Sequence, residues 1–337
     1  MPTIKDIAKL AGVSDTTVSN VIHNRSNVST GTAEKIKKIM KELSYSPNLN
    51  ARSLHAKSAP LIACIYSSVN MTANSLYLSR LITSLEKVLF ANGLYLIVKT
   101  VDIAENITKL FNMWNLKGLI VIGNFEDSII ADINTLGIPV MCIDSIIEKN
   151  YNNIYTVNID DYLAAYNATE YLISLGHQNI AFVSHGISGS RTNKARFEGY
   201  LNAMNNHNTL YDPSFFYEIC PEAPTNDLPP AMEIGKKIAQ SSVTAVFSAS
   251  DMLAWDVILG IQTAGKSVPS DISVMGFDDM FICSRISPSL STVHNSSYTK
   301  GTTSGQLLID VLNGKDVNHR TIIPTHLVIR NSTNNYK

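Results

Sequence analysis

Charge and cysteine are both scarce. Only 16% of the 337 residues are charged, and the four cysteines, Cys64, Cys142, Cys220 and Cys283, stand far apart with no C-x-x-C pair. That spacing argues against a zinc site and a disulfide framework, and leaves free thiols in or beside apolar runs as the ordinary reading. No apolar run reaches about 18 residues, so no membrane association is expected. The amino terminus has no basic-then-apolar leader, which makes a soluble, cytoplasmic protein the expectation. The eight histidines are scattered. No glycine-rich phosphate loop occurs, and Ser184, His185 and Asp251 lack a nucleophile elbow. No catalytic residue, metal or cofactor is therefore expected, and an enzyme is the least favoured class. The polar tail from Thr333 to Lys337 carries no leucine heptads, so a homodimer is expected and not a tetramer.

What is present is a chain longer than a usual single domain, with 45% apolar residues, so two or three folding units with large cores are expected. The net charge of −1 hides an asymmetry. Residues 1–57 hold nine Lys or Arg against four acids, a net of +5, and subtraction from the totals leaves a net of −6 beyond them. The first segment is suited to a polyanion and the rest is not.

That first segment reads as a compact three-helix head over residues 1–47. Ile4, Ile7, Ala8 and Leu10 put an apolar stripe on a short helix, Gly12 permits a sharp turn, and Ser14 can cap a second helix carrying Val18, Val21 and Ile22. A third amphipathic stretch, about Thr32 to Leu43, supplies the surface that closes a core. Thr3 and Asp6 form a capping-box pattern. In a helix-turn-helix, Asp15, Thr16, Thr17 and Asn20 at the start of the second helix meet base edges in the major groove; the plainer alternative is a solvated helix face. Tyr45-Ser46-Pro47-Asn48 ends the third helix, because the residue before a proline is pushed out of the α region. Residues 48–59 form a hinge or linker too short to be a stable helix alone.

From Leu61 the pattern becomes LIACIY, YLIVK, GLIVI, PVMCI, NIAFVS, TAVFSAS and DISVMGF, short apolar strands separated by helical stretches such as 78–91, 162–175, 196–204, 231–240 and 253–264. Continuous apolar strands alternating with helices argue for doubly wound parallel sheets. The fold expected is therefore a small all-α helix-turn-helix head plus an α/β domain of two doubly wound parallel-sheet subdomains over residues 60–337.

The runs T-I-K-D-I-A-K-L-A-G-V-S from Thr3, T-V-S from Thr17, Y-x-P-N from Tyr45 and A-R-S-L from Ala51 resemble the lac repressor family of bacterial transcription regulators. So do L-G-I-P-V-x-x-x-D from Leu136, R-F-E-G-Y from Arg196, V-P-x-D-I-S-V-M-G-F-D-D from Val268 and P-S-L-S-T-V from Pro288. The resemblance spans residues 3–333. It implies a transcriptional repressor that binds double-stranded operator DNA as a homodimer, under allosteric control of a small effector, most readily a sugar. It also implies a hinge helix over Asn48 to Ala56 whose Leu54 wedges into the minor groove. Thr3, Ser14, Asp15, Thr16, Thr17, Asn20, Tyr45, Asn48, Ala51, Arg52 and Leu54 are the candidate DNA-facing set.

The body resembles periplasmic sugar-binding proteins, in which the chain crosses between subdomains three times; the crossings fall here near 160, 291 and 323. One subdomain then holds about 60–160 and 291–322, the other about 161–290 and 323–337. Ligands of such sheets lie beyond the carboxyl ends of the strands, which with the resemblance gives Tyr77, Asp144, Arg191, Thr192, Arg196, Ser250, Asp251 and Asp278 as candidate effector contacts. Asp144 and Asp278 could instead cap following segments, and Arg196 could pair with an acid across the domain. The sequence departs from the family where it has Asn20, Ser75-Leu76-Tyr77 and Ser250-Asp251. Two alternatives of the same fold are control by a partner phosphoprotein and a sugar-binding transport protein.

Overall fold

The computed structural model describes residues 2–22, 28–43, 45, 60–67, 76–101, 114–209, 211–219 and 229–336. They divide between two compact units, residues 1–59 and 60–337.

In the first unit α1 (Ile4–Ala11) starts at Thr3, whose side chain accepts from the Asp6 N–H while the Asp6 carboxylate accepts from the Thr3 N–H at 2.8 Å. This reciprocal box satisfies two donors that a helix start would leave unpaired. Bonding to Thr3 also holds the Asp6 carboxyl below its ordinary range. Gly12 ends the helix with a φ of 72°, a left-handed value that favours glycine. Helices α2 (Asp15–Ile22) and α3 (Thr30–Glu42) follow. Ile7, Ala8, Ala11, Val18, Val21 and Ile36 are buried together as the core. Lys35 donates from Nζ to the Ala11 carbonyl at 2.9 Å, which satisfies an acceptor at the end of α1.

The second unit holds two six-stranded sheets. Strands β1 (Leu61–Ser67), β2 (Tyr95–Val101), β3 (Gly118–Ile122), β4 (Val140–Ile143), β5 (Ile154–Asn158) and β11 (Arg320–Ile322) run in the order β11-β5-β4-β3-β1-β2. Strands β6 (Ile180–His185), β7 (Phe216–Ile219), β8 (Ala245–Ser248), β9 (Ser273–Asp278), β10 (Ser291–His294) and β12 (His326–Val328) run in the order β12-β10-β9-β8-β6-β7. Among the described residues every pairing is parallel except β10 with β12. The two orders repeat one doubly wound plan, with the winding reversing beside β1 and beside β6. Both faces of each sheet are covered, which is why strands such as β3 and β4 are buried along their whole length.

Helices α4 (Leu76–Ala91) and α10 (Ser297–Leu312) pack together on one face of the first sheet, and α5 (Asp127–Asn134) packs on the other. Helices α6 (Asp161–Ser174), α7 (Arg191–Asn206), α8 (Pro230–Ala239) and α9 (Asp251–Thr263) cover the second. The chain passes between the sheets after β5, after β10 and after β11. The second passage differs from the sequence expectation near 291: β10 pairs with β9 in the second sheet, so the chain leaves that sheet only after His294.

The sequence reading did not single out α10. Its opening turns, S-Y-T-K-G-T-T-S-G, are poor in strong helix formers. Packing against α4 supplies what propensity does not: a Cβ at Gly301 would overlap Ser84 Oγ and lie 2.5 Å from the Leu81 carbonyl oxygen. The glycine lets the two helices meet closely. Among the described residues no helix is long and apolar enough to cross a membrane.

Candidate functional site

On the head, Ser14 caps α2 by accepting from the Thr17 N–H at 3.1 Å, and its hydroxyl lies 2.9 Å from that of Thr17. Val18 and Val21 face the core, leaving Asp15 and Thr16 exposed and Thr17 and Asn20 half-exposed on the opposite side. Asp15, Thr16 and Asn20 therefore share a free face of one helix, while Thr17 is partly engaged with Ser14. Thr3 is an exposed cap, and Tyr45 packs against the core, with its phenol held above its ordinary pKa by burial. Asn48, Ala51, Arg52 and Leu54 lie outside the described residues.

The carboxyl ends of the two sheets bring polar groups from both subdomains together. Tyr77, on the first turn of α4, donates its hydroxyl to Asp144 just past β4, at 2.7 Å. Lys300 on α10, whose side chain is wholly buried, pairs with the other oxygen of Asp144 and donates to Tyr77 Oη at 3.0 Å. Burial first, then the charges of Asp144 and Asp278, raise the Tyr77 pKa well above its ordinary value, so the phenol stays a neutral donor. Across from this trio, Arg196 on α7 donates from Nε to Asp161 at 2.8 Å and from a terminal nitrogen to the Ala249 carbonyl at 2.6 Å. Its guanidinium carbon stands 3.7 Å from the centre of the Phe277 ring, a cation-π contact that fixes its plane. Burial opposes the Arg196 charge, but Asp161 and Asp278 more than offset it and hold its pKa above the usual value.

Asp278, at the end of β9, accepts from Asn295 Nδ2 at 3.0 Å. Burial lifts its carboxyl to a pKa of about 6, against the pull of Arg196. Asp144 and Asp278 both take positive φ, 55° and 115°, and strain of this kind in non-glycine residues gathers at functional sites. A pocket opens beside the cluster, lined by Tyr77, Arg80, Asp278, Met280 and Asn295 among others.

Of the candidate effector contacts, Tyr77, Asp144, Arg196 and Asp278 come together here. Two others are engaged by protein groups. Asp251 is wholly buried, and its oxygens accept from the Met280 N–H at 2.7 Å and the Thr292 hydroxyl at 2.6 Å, so it ties the segment after β9 to β10. Arg191 bonds across the subdomains to Asp127 at 2.8 Å and the Ile146 carbonyl at 2.6 Å, which occupies both terminal nitrogens of its guanidinium. Ser250 caps α9, and Thr192 lies 3.0 Å from the Ser190 hydroxyl. Sequence reasoning missed Lys300, Asp161 and Asn295. Two signals were present: Lys300 shares a stripe with buried Ser304 and Leu308, and Asp161 one with Ala164, Ala165, Ala168 and Leu172.

A helix-turn-helix head joined to a two-sheet body of periplasmic-binding type defines a class, the DNA-binding transcriptional regulators. Residues 3–48 match the bacterial regulatory proteins of the lacI family, and residues 169–333 match the periplasmic binding protein-like domain. The HTH-type transcriptional repressor PurR of Pasteurella multocida (strain Pm70) is 31% identical over 98% of both chains. The lac repressor dimer bound to operator and the anti-inducer ONPF is 25% identical, with a TM-score of 0.84 over 99% of both chains. A lacI-family regulator of Enterococcus faecium with bound ribose is 26% identical, with a TM-score of 0.67 over 82% of this chain and all of that one. The chain belongs to the lacI family of bacterial regulatory proteins and is a DNA-binding transcriptional regulator.

Proposed function

We propose that this regulator is a cytoplasmic homodimeric repressor whose affinity for operator DNA is set by a sugar or sugar derivative held between the two subdomains of the body. The observation that carries the effector reading is the cluster of Tyr77, Asp144, Arg196 and Asp278: acceptors, a neutral phenol donor and a guanidinium brought together from the two subdomains, beside a pocket that Tyr77 and Asp278 line. Carboxylates beside an arginine and an aromatic ring suit the paired hydroxyls and apolar face of a sugar ring. The ribose bound by the Enterococcus faecium regulator supports that chemistry.

On the head, Asp15, Thr16, Thr17 and Asn20 are proposed to read base edges, with Asn20 suited to a bidentate pair with adenine. Thr3, Ser14, Tyr45, Asn48, Ala51 and Arg52 are proposed to seat the head on the phosphates, and Leu54 to wedge between base steps. Two heads of a dimer would then occupy two half-sites of a near-palindrome. Effector binding and operator binding change one another's affinity by the same factor, because the coupling is reciprocal.

Gel-shift titration against upstream DNA at stated ionic strength, with and without a panel of sugars, tests this reading. A specific shifted band whose midpoint moves with one sugar is expected. Binding to no duplex even at low salt, or a midpoint indifferent to every sugar and nucleoside, would overturn it.

A further inference from the structure

Every buried cation described at the cleft already has a carboxylate. Lys300 is matched with Asp144, and Arg196 with Asp161. Asp279, the residue after β9, is matched with Arg330 at 2.6 Å and His294 at 2.8 Å. Among the described residues Asp278 alone of these acids forms no ion pair; its bonded partner is the neutral amide of Asn295. Arg80 also lines the pocket, but it is exposed, where solvent screens its charge. The unmatched group of the cleft is thus an acceptor, suited to a hydroxyl donor and repelling a second anion.

Lys300 makes the difference between a mildly and a strongly acidic cleft. Its side chain is wholly enclosed, and it bonds to both Asp144 and the tyrosine that Asp144 binds. Without that ammonium, Asp144 would have no paired cation, and Asp278 only the charge of Arg196, which Asp161 already shares.

We propose that the effector carries no negative charge, and that Lys300 sets this selectivity by cancelling Asp144, so that the cleft takes an uncharged polyol in preference to a cation. The proposal rests on the sugar-effector reading above. A uronate or a sugar phosphate would bring its charge beside Asp278, where each of the two buried cations is already matched with a carboxylate. At the few-ångström separations of a binding site such a repulsion weakens affinity by at least about tenfold.

The test is calorimetry on the full chain with matched sets of one ring: galactose, galactosamine, galacturonate and galactose 6-phosphate, with the same sets built on glucose and ribose. In whichever set binds, the neutral sugar is expected to bind at least about tenfold tighter than its acid or phosphate. In Lys300→Met the amino sugar is expected to gain at least about tenfold over the neutral one, and in the double variant Lys300→Met with Asp144→Asn that gain is expected to vanish. These ratios compare ligands on one protein, so a general loss of stability does not imitate them. An acid or phosphate that binds as tightly as the neutral sugar overturns the proposal, and so does an unchanged ratio in folded Lys300→Met. If no member of any set binds, the sugar reading itself fails and the proposal with it, a result distinct from an anion winning.

Discussion

The two walls of the cleft solve one problem by different means. Each holds a buried carboxylate against a buried cation: Asp144 with Lys300 on the first subdomain, Asp161 with Arg196 on the second. The lysine is a compact charge whose bonds run to Asp144 and the Tyr77 hydroxyl. Arg196 is a planar fork that binds Asp161, binds the Ala249 carbonyl and lies over Phe277. A lysine cannot reproduce those three fixed directions at once. The first wall is therefore tuned by charge, the second by geometry, and substitutions should tell them apart.

The largest effect is expected on the second wall. Arg196→Ala leaves Asp161 enclosed without a counter-ion, which destabilises a protein by about 3–5 kcal/mol when one partner of a buried pair is removed. Urea unfolding of the body should show this loss, and the response of operator binding to effector should vanish. Arg196→Lys should recover little of either, and full recovery would show that only its charge matters. Next comes the first wall, where Gly301 sets how closely α10, and with it Lys300, approaches α4. Gly301→Ala places a methyl against Ser84 Oγ and the Leu81 carbonyl, an overpacking worth about 1–3 kcal/mol. It should also weaken effector binding without altering operator affinity. A stable variant with intact effector affinity would show that α10 can shift without moving the lysine.

A third distinction is in proton binding. On the second wall, burial and the neighbouring charge of Asp278 raise the Asp251 carboxyl to about 7, despite its bonds from Met280 and Thr292, against an ordinary value of 3.8. The folded chain then holds a proton that the unfolded chain has released, so this group favours folding at low pH. Its contribution is lost as pH rises through the window from about 4 to 7, with a slope of up to about 1.4 kcal/mol per pH unit per proton. Urea midpoints taken between pH 5 and pH 7 should fall with pH in the parent and fall less in Asp251→Asn. Parallel profiles would show that Asp251 is already ionised in the folded state.

How much of this was legible in the sequence follows from where the determinants lie. The head could be read residue by residue, because its determinants are local: Thr3 with Asp6 three positions on, Gly12 at the turn, Ser14 with Thr17. The alternating apolar runs likewise gave both doubly wound sheets. The cleft was only half legible. Asp144 and Asp278 follow apolar strands and stand where such folds place ligand groups, but Lys300 meets Asp144 across 156 residues of chain. No spacing rule reaches that far, and α10 itself is held by packing where its composition argues against a helix. Arg196 carried two open readings, ligand contact and acid pairing; the structure shows the pairing, and ligand contact stays a proposal beside it.

The smallest effect concerns the bond that joins the walls. Arg191 reaches from α7 to Asp127 on α5 and to the Ile146 carbonyl, so it links one subdomain to the other. Its side chain is 36% exposed and that of Asp127 53%. Water and salt screen such a pair, and it contributes no more than about 1 kcal/mol to stability. Arg191→Ala should leave the urea midpoint of the body nearly unchanged. Even a small bias matters where two arrangements of the subdomains lie close in energy, since a ligand shifts them only through its difference in affinity for each. The variant should change effector affinity by no more than about fivefold, and raising the salt concentration should reproduce that change in the parent but not in the variant. Equal salt sensitivity in both proteins would place the salt effect elsewhere and leave Arg191 as a surface contact.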